Sequence, residues 1–325
     1  MPGFTTHYIF GMKAYNDMPF TPLKHTIAKY RWLYQLGLQG PDMFFYNIPI
    51  LRHRDYRNVG SYMHEHKVNA FFECCLRRIG TIRSRQQQEE AISYLAGFIN
   101  HYIADSICHP YVYGRIGYPV DAPTSMHHGM HAHLENELYA ILLWKYKKKK
   151  PSEFNQTATI CLNGQEIQFI SHFLASCINE TYYPITYRNN FQVTPAMVHR
   201  SIWALRFGCR TLSDKNGKKK FGIAQVESIF VNHPVASAKM VTDSVTDYRS
   251  SCNLNHEAWG NPWDPTRVST ASFVDLFHET LDKCSRVYAL LNSAVTDNVP
   301  LDKQDLSPLL TELGNESYHS GLPVD

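Results

Sequence analysis

The sequence predicts an all-α protein: a multi-helix domain carrying a helical C-terminal extension and one small β-hairpin. Three observations carry that expectation. Apolar residues recur at helical period over long stretches, no alternation of strands with helices is visible, and histidines pair with carboxylates four residues apart, on one side of a helix. The helical stretches fall at roughly 22–36, 60–80, 86–109, 127–146, 195–212 and 270–296. The fifth opens with Thr194-Pro195, a cap followed by the proline that a first helical turn accepts.

Within 86–109, Leu95, Phe98, Ile99, Tyr102, Ile103 and Ile107 supply a packing face, while His101, Asp105 and His109 form a polar stripe beside it. In 127–146, His131 pairs with Glu135 and His133 with Glu137, on faces roughly 200° apart, so one pair at most faces the first helix. Lys147 to Lys150 and Pro151 then close the stretch. A lysine run suits a solvated helix end, where it complements the dipole, and its alternative reading is peripheral contact with an anionic membrane.

Asn163-Gly164, between short alternating runs across 157–169, predicts the hairpin turn. Further on, the turn-rich loop with Trp259 and Trp263 reads as packing back on the core, and otherwise as a wall of a substrate cleft. The expected organisation is a domain over residues 1–150 and a helical extension over 151–325 packed on it.

Composition narrows the function. At 325 residues with 44% hydrophobic and 19% charged content, the chain can bury a sizeable core. Its net charge of +3 is too small to demand nucleic acid, so no stable nucleic-acid partner is expected. The start, Met-Pro-Gly-Phe, shows no basic or apolar export signal, and eight cysteines contain no CxxC pair. Free thiols and a cytoplasmic protein are the expectation. No run of 18 apolar residues predicts a membrane span.

Eleven of the 17 histidines lie in the first 133 residues. Buried imidazoles beside a carboxylate need compensation, and a divalent cation supplies it. Upstream, His7, Asp42 and His64 sit among aromatic and apolar residues, where a polar group needs a reason. Alone on apolar helices, His25, His53, His172, His199, His233, His256, His278 and His319 read as hydrogen-bonded core residues; His66, His127, His128 and His133 read as supporting or surface positions. Cys108 is turned about 100° from His109 and is discounted as a ligand.

The ordered set His7, Asp42, His64, His101-x-x-x-Asp105, His109 and His131-x-x-x-Glu135 resembles the zinc-dependent phospholipase C family, and more distantly the single-strand-specific zinc nucleases. The likeness covers roughly residues 1–145; the set as a whole is specific, and any single pair in it is weak. It implies an all-helical domain whose cleft holds zinc and hydrolyses a phosphodiester. It further implies a first zinc on Asp42, His64, His101 and Asp105, a second on His109, His131 and Glu135, and a third on His7 with Asp105 bridging. In secreted relatives a free amino terminus completes the third site, and here processing of Met1 would offer the amine of Pro2. His109 also follows the bridging aspartate more closely than in those relatives. Zinc would neutralise phosphoryl oxygens and activate a water, with Asp42 as general base as well as ligand. The expected substrate is a phospholipid or another phosphodiester; the alternative within the enzyme class is a nuclease or a small-molecule phosphodiesterase, and the alternative from another class is a non-catalytic zinc scaffold.

Overall fold

The computed structural model describes residues 3–46, 59–182, 192–211, 217–230 and 247–325, with positions 214, 237, 240, 243 and 245. Helices α1 (Phe4–Asp17), α2 (Pro22–Lys29) and α3 (Arg31–Gly37) lead into a 3-10 segment, Gly40–Tyr46. Then come α4 (Val59–Glu65), α5 (Val68–Thr81), α6 (Arg85–Arg115) and α7 (Ser125–Lys147). The second half adds α8 (Gly164–Thr181), α9 (Pro195–Thr211), α10 (Lys218–Phe230), α11 (Tyr248–Ser251), α12 (Phe273–Thr296) and α13 (Ser307–Leu313). The protein is all-α, with a small two-stranded sheet as its other regular element among the described residues.

The axis of the fold is α6, 31 residues long and buried from Glu90 to Val112 on nearly every side. A helix so enclosed needs partners all round. It has them in α3 and α1 on one side and α12 on another: the Tyr288 hydroxyl of α12 donates to the Ala96 carbonyl at 2.9 Å, and the Asn100 amide to Cys284 Sγ at 3.1 Å. One apolar core joins Leu33, Leu76, Phe98, Leu174, Leu291 and Leu313, so side chains from both halves of the chain share it.

The expected helical stretches 22–36 and 60–80 are each divided into two helices, α2 with α3 and α4 with α5. Two further expectations need correction. The first helix of the site was expected to end near 109, yet α6 runs through Pro110 to Arg115. Proline has no N–H to donate to the Ser106 carbonyl one turn back, and the enclosing packing holds the helix together across the gap. The C-terminal tail passes that spot through Gly321, whose φ of +61° and lack of Cβ both matter: a Cβ there would stand 2.6 Å from the Ser106 carbonyl oxygen.

The second correction concerns the hairpin. Asn163 does not turn a hairpin; it caps α8, its side chain accepting from the Glu166 N–H at 2.9 Å while Glu166 accepts from the Asn163 N–H at 2.8 Å. The hairpin lies instead in the tryptophan loop, where β1 (Trp259–Asn261) pairs antiparallel with β2 (Asp264–Ser269). Lys148, in the left-handed region at φ 53°, ends α7 where the lysine run begins. No helix among the described residues is long and apolar enough to cross a membrane.

Candidate metal centre

Five elements bring their polar residues to one place. Helix α6 contributes His101, Asp105 and His109, spaced one turn apart, and α7 contributes His131 and Glu135. His64 comes from α4, Asp42 from the 3-10 segment and His7 from α1. Two groups result, each with its ligand-type atoms within 4.8 Å of one another: Asp42, His64, His101 and Asp105, and then His109, His131 and Glu135.

Asp105 is the hinge between them. Its Oδ2 lies 3.0 Å from His101 Nε2 and 3.9 Å from His64 Nε2, and its Oδ1 lies 3.2 Å from His7 Nε2 and 3.7 Å from His109 Nε2. Glu135 Oε1 reaches His131 Nε2 at 2.9 Å and His109 Nε2 at 3.1 Å, and Asp42 Oδ1 lies 3.3 Å from His64 Nε2. His7 thus joins the site beside Asp105 and His101, its ring 4.0 Å from that of His101. The third-zinc expectation that involves Pro2 lies outside the described residues, as do His53 and His233.

Three backbone carbonyls set the imidazoles. His64 Nδ1 meets the Gly60 carbonyl at 2.6 Å, His101 Nδ1 that of Leu38 at 3.0 Å, and His109 Nδ1 that of Tyr318 at 2.8 Å. A carbonyl oxygen only accepts, so each Nδ1 carries a proton, and in the neutral ring each Nε2 turns a lone pair inward. That tautomer is the one a divalent cation needs.

Orphaned atoms agree with a cation. Buried His101 Nε2 and Asp105 Oδ2 lie 3.0 Å apart yet make no hydrogen bond. Lone pairs converging on a shared point, rather than on each other, have this geometry. The residues present therefore fit zinc: imidazole nitrogens and carboxylate oxygens, buried and held from behind.

Gly40 fixes one wall. Its φ is +48°, and a Cβ would stand 2.2 Å from the His101 ring. Gly40→Ala should then strain the backbone by about 1–2 kcal/mol and push His101 off its position. Elemental analysis is expected to find close to one zinc fewer per chain in the variant; unchanged zinc content would argue that His101 is not a ligand.

The charges are strongly coupled to burial. Burial raises the Asp105 carboxyl, but His109, His101 and His7 around it outweigh burial and hold it well below the usual carboxylate range. Glu135 is likewise held well below its ordinary value: burial opposes, and His131 leads the groups that prevail. Burial pulls His109 down, yet Asp105 and Glu135 push it up to about 9. His101 is raised against burial by Asp105, whereas His7 and His131 are lowered, mainly by burial.

These directions set the pH response of chelated protein. Groups raised above 6.5, His109 and His101, bind more protons folded than unfolded, so their stabilisation is full below 6.5 and is lost as pH rises, in the case of His109 through about 9. His7 and His131, lowered, act oppositely: stability is lost as pH falls below 6.5. Urea midpoints of metal-free protein are expected to peak near pH 6.5. A midpoint still rising at pH 9 would contradict the assignment of His109.

The other pair, His133 and Glu137, points away. His133 is half exposed, and Glu137 is occupied with the Ser251 hydroxyl of α11. Cys108 turns to Thr280 at 3.8 Å and takes no part. His127 caps its own helix, Nδ1 accepting from the Thr124 N–H at 3.2 Å.

The two tryptophans divide their roles. Trp259 packs on the core against Tyr111 and donates to the Ala271 carbonyl at 2.9 Å. Trp263 stands edge-on to Tyr113 at 4.9 Å and stacks on Tyr118 at 6.0 Å, and Tyr113 in turn lies 4.6 Å from His131. An aromatic wall thereby borders the second cluster.

Sequence reasoning missed the C-terminal tail. Tyr318 supplies the carbonyl behind His109 and donates its N–H to the His64 carbonyl at 2.9 Å. His319, expected as a core residue, stacks on His64 with ring centroids 4.8 Å apart. No periodicity marks an irregular tail, and a single histidine far from the others carries no spacing signal.

Comparison with known proteins adds one finding. No curated protein and no solved structure matches the chain. The family model described as zinc dependent phospholipase C matches residues 6–187, more than half of the chain and the whole set of inward-facing ligand-type residues from His7's neighbourhood to Glu135. The chain belongs to the zinc-dependent phospholipase C family.

Proposed function

We propose that this chain is a zinc-dependent phosphodiester hydrolase of the phospholipase C type, with a phospholipid as substrate. The observation that carries the reading is the pair of adjoining ligand clusters hinged on Asp105. Asp42, His64, His101 and Asp105 would hold one zinc, and His109, His131 and Glu135 a second; His7, 3.2 Å from Asp105, is the nearest further donor for a third. Bound zinc supplies charge for the phosphoryl oxygens and lowers the pKa of water toward neutrality.

The two aspartates divide the remaining work. Asp105 is enclosed and surrounded by imidazoles, which suits it to hold position and charge rather than to move protons. Asp42 is the more open, and although burial opposes it, His64 and His101 keep it ionised. An ionised, accessible carboxylate can accept a hydrogen bond from the attacking water and take its proton. No nucleophilic side chain is needed.

Peripheral membrane contact fits Trp144, exposed at the end of α7 beside Lys145, Lys147 and the lysines that follow. Eight unpaired cysteines favour a reducing, cytoplasmic setting. The test is a screen of zinc-loaded and chelated protein against phosphatidylcholine vesicles, single-stranded DNA and a chromogenic phosphodiester. Release of the phosphorylated head group, lost on chelation and restored by zinc, is expected. Cleavage confined to DNA would make the protein a nuclease, and no turnover on any of the three would make it a scaffold.

A further inference from the structure

The tail that closes the chain reaches the metal centre from outside the family-matched segment, and it brings one histidine whose role is unassigned. His319 lies face to face with His64, the rings 13° from parallel, and 5.9 Å from the ring of His109. Those two histidines belong to different clusters, so His319 stands over the gap between them. It joins neither cluster of converging ligand atoms among the described residues.

Hydrogen bonds on both sides hold it in place. The Tyr318 N–H is held by the His64 carbonyl at 2.9 Å, and the Ser320 carbonyl accepts from the Asn261 side chain of the hairpin at 2.8 Å. Ser317 and Gly321 close a turn around the residue, the Gly321 N–H donating to the Ser317 carbonyl at 2.9 Å. On the ring itself, Nδ1 lies 3.2 Å from the Tyr113 hydroxyl. A phenol is protonated at neutral pH and is a better donor than acceptor toward a neutral imidazole. With Tyr113 donating to Nδ1, the ring proton sits on Nε2.

We propose that His319 is a further substrate-contacting residue, its Nε2–H donating to a non-bridging oxygen of the phosphodiester held between the two clusters. The inference rests on the phosphodiesterase reading above. It needs no proton transfer: a neutral imidazole with one N–H facing an anion is enough, and a donor held in place in this way acts on developing charge without reorganising. Its origin in the tail also means that the segment beyond the family match helps form the catalytic surface.

Two variants test it, both with zinc loaded and zinc equivalents measured. His319→Leu keeps bulk without the donor, and His319→Gln places an amide N–H near the Nε2 position. Inorganic phosphate binding by calorimetry is expected to weaken about tenfold or more in His319→Leu, as a hydrogen bond to a charged group implies. Turnover of a chromogenic phosphodiester should fall by about 10²-fold in kcat, in line with loss of one preorganised donor. His319→Gln should recover most of both, with zinc content unchanged in each variant. Phosphate binding and kcat as in the unsubstituted protein for His319→Leu would overturn the proposal, and so would a loss of zinc, which would make His319 a ligand or a support. If the unsubstituted zinc-loaded protein neither binds phosphate nor cleaves any phosphodiester, the functional reading falls and takes this one with it. A working enzyme indifferent to His319 removes this proposal alone.

Discussion

Asp105→Asn is expected to lower kcat by roughly 10³-fold, against about 10²-fold for Glu135→Gln, the span seen when one preorganised electrostatic contact is lost from an active site. The asymmetry follows from contacts. Asp105 stands within 4 Å of His7, His64, His101 and His109 and so touches residues of both clusters, whereas Glu135 reaches His109 and His131 in one. Replacing the bridging carboxylate by an amide leaves both cation positions short of negative charge. Steady-state kinetics on a chromogenic phosphodiester, read beside zinc equivalents for each variant, checks this. Equal losses, or a larger loss at Glu135, would mean that Asp105 does not serve both positions.

Chelation should have the second large effect, on stability and activity together. Without cations, the enclosed His101 Nε2 and Asp105 Oδ2 have no hydrogen-bonding partner, and several imidazoles crowd one another. Each zinc at a hundredfold its Kd stabilises the fold by about 2.7 kcal/mol, so two occupied sites contribute about 5 kcal/mol. At roughly 1.5 °C per kcal/mol for a chain of 325 residues, Tm is expected to fall by about 7 °C on chelation and to recover with zinc. Calorimetry with and without chelator measures it. A Tm unmoved by chelator would show that the clusters are paired by protons alone.

The site was legible in the sequence where helices carry it. His101, Asp105 and His109 recur at four-residue steps, as do His131 and Glu135, and a helix turns those steps into one face; the structure keeps both faces together. Spacing alone did not say which of two overlapping pairs on α7 faces inward, because that depends on the rotation of α7 against α6; the family resemblance pointed to His131 and Glu135. Packing settled it: Glu137 turned to Ser251 and His131 to His109.

Local chemistry misled where one signal has two meanings. Asn-Gly serves a tight hairpin, but asparagine also caps helices, and Glu166 three residues on made the cap. Pro110 reads as a stop, yet burial of α6 over several turns outweighs one missing hydrogen bond. His319 and Tyr318 were illegible for another reason. Their positions come from tertiary contacts of an irregular tail with α4, α6 and the hairpin, and such contacts leave no periodic trace.

The most direct test of the central claim is the zinc content of purified protein never exposed to chelator, measured by elemental analysis against protein concentration. Seven ligand-type side chains in two converging clusters predict at least two tightly held zinc ions per chain. Less than one equivalent of any divalent metal would contradict the account.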